Sequence, residues 1–204
     1  MTRVQQPAGQ RSTHSSHAQH GDSHVDEPYP GRQPSYLPSM DREVLTWERF
    51  GEASRQLARL VAEDQYQPDI ILAIARGGLF AAGALGYALS VKNIYVMNIE
   101  YYTGVNERLP LPVALPPTPD LVDLEHARIL VADDVADTGH TLAFVHDFCR
   151  GKVADVRAAV LYQKSTSVID CEYVWARTDQ WIDFPWSSQP PIAEPVRPDK
   201  TATA

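Results

Sequence analysis

The run Ile129-Leu-Val-Ala-Asp-Asp-Val-Ala-Asp-Thr-Gly-His-Thr141 carries an apolar stretch into two adjacent carboxylates, Asp133 and Asp134, and on into a small hydroxyl-bearing turn. If that turn opens a helix, the backbone N–H groups of Thr138, Gly139, His140 and Thr141 converge at its N-terminus. Unpaired donors and about half a positive charge from the helix macrodipole favour a phosphate monoester there. The threonine hydroxyls add further donors. Paired carboxylates at the carboxyl end of a strand can hold vicinal hydroxyls or a hard cation, and that end is where open α/β sheets bind ligands. A mere capping role is disfavoured, because two adjacent acids on a buried strand are costly without a ligand. The Gly-x-x-x-x-Gly-Lys pattern of a Walker loop is absent.

These residues need elements to position them, and the sequence supplies an alternation. Thr46 is a plausible N-cap, followed by Trp47, Phe50, Leu57, Leu60 and Val61 at helical spacing through Asp64. Pro68 and Asp69 break that pattern. The run Ile70 to Ala75 reads as a buried strand that ends in a loop at Arg76, Gly77 and Gly78. Leu79 to Leu89 suits a close-packed helix and Asn93 to Tyr101 the next strand. Five prolines between Leu109 and Asp120 predict a long irregular loop or a rigid polyproline arm. Beyond it come a strand at Arg128 to Asp133, a helix at Thr141 to Arg150, a strand at Val156 to Tyr162 and a short strand near Tyr173 to Ala176. Strands alternating with helices predict an α/β fold: a mostly parallel, twisted sheet covered on both faces.

At 204 residues the chain has room for one domain with tails. Residues 1–40 are polar and proline-bearing, without apolar periodicity, and are expected to be a disordered tail. His14, His17, His20 and His24 recur within it, but Ser and Gln surround them, so a solvated tail is preferred to a metal site. Residues 188–204, with four prolines, predict a second unstructured tail. The domain is therefore placed at 41–187. Of the formal charge of -8, all falls in this span, where 21 acidic residues face 13 basic ones. Such an acidic domain is a poor binder of nucleic acid, and an anionic substrate needs local cations or a metal. No apolar run is long enough to span a membrane, and the start lacks a signal peptide's apolar core, so the expected address is cytoplasmic. Cys149 and Cys171 read as buried thiols rather than a bridge.

The run around Asp133 to Thr141 resembles the ribose-phosphate-binding signature of the type I phosphoribosyltransferases, and the resemblance spans most of 45–187. It implies that Asp133 and Asp134 contact the ribose hydroxyls of phosphoribosyl pyrophosphate, directly or through magnesium. The turn Asp137, Thr138, Gly139, His140 and Thr141 would grip the 5-phosphate. Within the family, an acid at the position of Asp137 marks the branches that act on 6-oxopurines, where it faces the base and serves catalysis. Ala75-Arg-Gly-Gly-Leu79 resembles the pyrophosphate loop of the bacterial xanthine-guanine phosphoribosyltransferases, in which the peptide before the arginine is often cis. Ala75, Arg76 and Gly77 would then meet the pyrophosphate. Lys164 is similar in place to a lysine on the purine 6-oxygen. Gln180-Trp-Ile-Asp-Phe-Pro-Trp186 resembles the C-terminal hood, at about 164–187, with Trp181 stacking on the base and Ile182 offering its backbone. Two departures stand out: Ser187 replaces an acid found near the metal, and His140 replaces a Gly or Lys.

Taken singly, several of these residues have plainer uses. Lys164 alone is a solvated lysine, Gly77 and Gly78 are a tight turn, and Trp181 and Trp186 are core. Taken together they imply a magnesium-dependent purine phosphoribosyltransferase that moves the ribose-phosphate unit to N9 of guanine, hypoxanthine or xanthine and releases pyrophosphate. Purine salvage is the implied role, in a homo-oligomer, dimer or tetramer, with segment 102–121 closing over the site. The alternatives are a non-catalytic sensor of phosphoribosyl pyrophosphate, or an enzyme of the fold with another acceptor base.

Overall fold

Thr46 starts the first helix as its residue type predicts. Its backbone is extended, and its Oγ1 accepts the N–H of Arg49 at 3.3 Å, which satisfies one of the free donors of helix α1, Trp47–Glu63. Ala53, Ser54, Leu57, Ala58 and Val61 form its buried stripe. The computed structural model describes residues 42–104, 107–116, 119–121 and 124–193. These fall within one unit, Pro38–Ala204. The expected tail at 1–40 lies outside the described residues, as do residues 194–204 of the expected tail at 188–204, while 188–193 carry neither helix nor strand.

Before α1 lies β1 (Arg42–Val44). After it come β2 (Ile70–Ala75), α2 (Gly78–Leu89), β3 (Ile94–Gly104), β4 (Glu107–Leu115), β5 (Arg128–Ala136), α3 (His140–Cys149), β6 (Asp155–Gln163), β7 (Tyr173–Arg177) and β8 (Trp181–Asp183). Six strands form the main sheet in the order β4-β3-β2-β5-β6-β7, parallel except for β4. Alternate residues of β2 face opposite sides. Ile71 and Ala73 join α1 and α2 in one core, and Ile70, Leu72 and Ile74 join α3 in the other. Burial on both faces explains why β2 reads as an unbroken apolar run.

The chain progresses outward from β2 through β3 to β4, and outward the other way from β5 through β6 to β7. β2 and β5 are therefore neighbours at the point where the strand order reverses, and a crevice opens at their carboxyl ends. Their pairing stops at Ala73 and Ala132, whereas β5 stays paired with β6 as far as Ala136 and Gln163. Asp133 and Asp134 thus sit on a strand that runs three residues further than the sequence indicates, but on the stretch that has already left β2.

Two expectations are corrected. The proline-rich segment is neither an irregular loop nor a polyproline arm over Glu107–Leu115, but strand β4, antiparallel to β3. Pro112 pairs with Tyr101, and the register shifts between Tyr101 and Thr103. An edge strand with an irregularity tolerates residues that cannot donate to a ladder. The second correction concerns the hood. β7 belongs to the main sheet, and β8 pairs instead with the N-terminal β1, a strand of three residues that no periodicity betrays. Arg42 Nη1 bonds Asp183 Oδ1 at 2.7 Å across that pair, and Leu45 N–H donates to the Asp183 carbonyl.

Candidate functional site

Asp133 is buried at the crevice floor, where its Oδ1 accepts the N–H of Asp134 at 2.9 Å and its carboxylate also accepts the N–H of Gly78. Burial, and then the charge of Asp134, push its carboxyl well above the usual carboxylate range. Asp134 is likewise raised by burial, against the pull of the Val135 N–H and the Trp186 side chain. Two neighbouring acids that resist ionisation are poised for a cation or for hydroxyl donors that would repay their desolvation.

The loop after β2 closes on this pair. A Cβ at Gly77 would come within 1.8 Å of Asp134 Oδ2, and one at Gly78 within 2.3 Å of the Ala132 carbonyl oxygen. Only hydrogen fits at either position, which gives these glycines a packing role beyond a turn. The Ala75–Arg76 peptide is cis, and the Arg76 side chain is exposed without a carboxylate partner among the described residues. Ala75, Arg76 and Gly77 therefore stand beside the acids, across the crevice.

Past the acids, β5 ends and Asp137 and Thr138 lead to Gly139, whose φ of 76° suits glycine, and then to His140 as the first residue of α3. A cavity of about 400 Å³ is lined by Asp133 and by Asp137, Thr138, Gly139, His140 and Thr141. The N-terminus of α3 lies at this cavity, a setting that suits an anion. Lys164 comes in from the end of β6, its Nζ 3.5 Å from Asp137 Oδ1, with the lysine largely covered and the aspartate more than half exposed. Trp181 is exposed on β8 while Ile182 is buried, and β8 has no strand on its other edge among the described residues.

Trp186 is the residue whose part in the site the sequence hides. It stacks on Phe80 at 4.5 Å and on Phe184 at 5.0 Å, meets Phe50 edge-on, and pulls the Asp134 carboxyl down. The hood thereby acts on the acid pair through the Trp186 indole, whereas Ser187, one residue on, donates its backbone N–H to the Phe184 carbonyl. Its place as the last residue of the hood signature was the available signal, but its core-like packing masks it.

No group of three or more His, Cys, Asp and Glu able to hold a metal occurs among the described residues. Magnesium that takes its remaining ligands from substrate phosphates and water needs only one or two carboxylates. The buried Asp133 and the half-buried Asp134 fit that requirement.

Comparison with known proteins places the chain in a family. The family model of the phosphoribosyl transferase domain matches residues 41–192. The chain belongs to the phosphoribosyltransferase domain family. A xanthine-guanine phosphoribosyltransferase of Idiomarina loihiensis is 28% identical over 156 residues, which covers 74% of this chain and 91% of that protein. A purine phosphoribosyltransferase structure from Pyrococcus horikoshii is 33% identical at a TM-score of 0.63, covering 76% of this chain and all 100% of that one. The xanthine-guanine-hypoxanthine phosphoribosyltransferase of Helicobacter pylori shares the fold at 23% identity and a TM-score of 0.61, over 72% of this chain and 94% of that one. As in other phosphoribosyltransferase domains, then, the sheet here is a mostly parallel α/β assembly, and no helix of the described residues is long and apolar enough to cross a membrane.

Proposed function

We propose that this phosphoribosyltransferase acts on 6-oxopurines, joining N9 of guanine, hypoxanthine or xanthine to C1 of the ribose-5-phosphate unit of phosphoribosyl pyrophosphate. The bond from C1 to the pyrophosphate oxygen breaks, the bond from C1 to N9 forms, and pyrophosphate leaves. The carrying observation is the Lys164–Asp137 pair at 3.5 Å beside the phosphate-binding turn. In a 6-oxopurine the 6-oxygen and N7 share one edge of the ring. An ammonium and a carboxylate held side by side match that edge, the lysine donating to the oxygen and Asp137 accepting or sharing the N7 proton as N9 attacks.

The other roles follow from position. Thr138, Gly139, His140 and Thr141 hold the 5-phosphate at the start of α3. Asp133 and Asp134 hold the ribose hydroxyls and magnesium. When bound, the ion neutralises charge that builds on the leaving pyrophosphate. Ala75, Arg76 and Gly77 receive that pyrophosphate, Arg76 as its cation. Trp181 stacks on the ring, and Ile182 offers its backbone. The relatives described above are enzymes by name, which leaves the sensor reading without support. The exposed Tyr87, Ile94, Tyr95 and Val96, beside a cavity of about 380 Å³ along α2, support a homo-oligomer. Purine salvage in the cytoplasm is the role that goes with the proposed reaction.

Calorimetry with phosphoribosyl pyrophosphate tests the assignment of the sugar site. Binding should require magnesium and weaken about tenfold or more in Asp134→Asn and in Thr141→Val, since each removes a charge-assisted or hydroxyl contact. Equal binding by both variants would overturn it.

A further inference from the structure

The loop that carries Lys164 also buttresses the phosphate-binding turn from outside. Between β6 and β7 the chain runs Lys164-Ser-Thr-Ser-Val-Ile169, and it meets Ala136 to Gly139 almost residue against residue. The N–H of Lys164 donates to the Ala136 carbonyl at 3.0 Å, and that of Val168 to the Thr138 carbonyl at 2.9 Å. Between them, Thr166 Oγ1 donates to the Asp137 carbonyl at 3.0 Å. Gly139 lies so close that a Cβ there would come 2.3 Å from Ser167 Oγ. On its other side the loop holds the hood. Ser165 donates its N–H and its hydroxyl to the two carboxylate oxygens of Asp179, at 2.8 and 3.0 Å, just ahead of Trp181. Gln163 is buried at the root of the loop, with its Nε2 donating to Asp170 and its Oε1 accepting the N–H of Cys171.

We propose that this loop is a brace that sets the spacing between the base subsite and the 5-phosphate subsite, with Thr166 as its positioning residue. The inference rests on the function proposed for the site. Bond formation between N9 and C1 needs the reacting atoms at about 3–3.5 Å, and a misplacement of about 1 Å can cost two orders of magnitude in rate. The sugar is anchored through its phosphate at Thr138 to Thr141, and the base through Lys164 and Trp181. Among the described residues, the 164–169 loop is the segment bonded to both anchors. Its other hydrogen bonds to the turn join backbone groups that no substitution removes. The Thr166 hydroxyl is a side-chain tie, and it holds the peptide that leads from the base-facing Asp137 into the phosphate-binding turn. Thr166 is exposed, so the fold does not depend on its methyl group.

The test compares Thr166→Val and Thr166→Ser by steady-state kinetics, melting temperature and amide hydrogen exchange of the ligand-free protein. Thr166→Val should lower kcat about tenfold while leaving both KM values nearly unchanged, as a partial loss of alignment would. Its melting temperature should match wild type, and the amides of residues 138–141 should exchange faster. Thr166→Ser keeps the hydroxyl and should restore both turnover and protection. Wild-type kcat and wild-type exchange in Thr166→Val would overturn the brace, as would a defect that Thr166→Ser fails to rescue. A wild-type protein inactive on purines would strike the function proposed above, and the exchange comparison would then decide the brace by itself.

Discussion

The Trp186 side chain pulls the Asp134 carboxyl down while its ring lies flat against Phe80. One side chain thus joins the C-terminal hood, the start of α2 and the acid pair at the end of β5. The contact lowers the cost of ionising a half-buried carboxylate and fixes its orientation, so the hood acts on the sugar site without supplying an acid of its own.

Trp186→Phe keeps an aromatic ring for the stack and deletes the N–H. An N–H that bonds a charged group contributes about 1.5–3 kcal/mol, so kcat/KM for phosphoribosyl pyrophosphate should fall about ten- to hundredfold. Melting temperature should change little, because the ring contacts persist. Kinetics at varied magnesium should place the loss in the sugar-phosphate substrate rather than the base. Unaltered kcat/KM would show that the indole N–H has no part in the site.

Asp133 makes a prediction with a definite sign in pH. Its carboxyl is raised in the folded protein, by burial and by Asp134. Stability from its protonated form is fully present below the unfolded carboxyl value of about 3.9 and is lost as pH rises through the raised folded value. Asparagine does not ionise, and its amide oxygen can still accept the Asp134 N–H. Asp133→Asn, kept in chelator, should therefore melt above wild type near neutral pH, by on the order of 1–3 kcal/mol of stability. The difference should close in acid, and the variant should lose activity. Melting curves between about pH 3 and 8 check this, and a gap that widens towards acid would contradict it.

Much of the site was legible in the sequence because its parts are local. The acids, the phosphate-binding turn and the helix after it are consecutive, and Gly77 and Gly78 directly follow an apolar strand. α1 was readable from Thr46 and a clean helical stripe. What escaped was long-range. β1 has too few residues for a pattern and exists because β8 pairs with it. β4 carries prolines that contradict strand propensity, and only its place at the sheet edge makes them tolerable. Trp186 and Thr166 act through partners far away in the chain, and nothing in their neighbours announces those partners.

The central claim is that Lys164 and Asp137 together read the 6-oxo edge of a purine. It is tested most directly by measuring kcat/KM of the wild type and of Lys164→Ala with phosphoribosyl pyrophosphate, magnesium, and hypoxanthine, guanine, xanthine or adenine as acceptor. A site built to hydrogen-bond an oxo group leaves its covered lysine unpaired when an amino group takes that place, and such mismatches discriminate by about four to five orders of magnitude. The wild type should use at least one 6-oxopurine and barely use adenine. Lys164→Ala should narrow that gap mainly by weakening the 6-oxopurine. Adenine accepted as readily as guanine, or a gap that Lys164→Ala leaves untouched, would contradict the account.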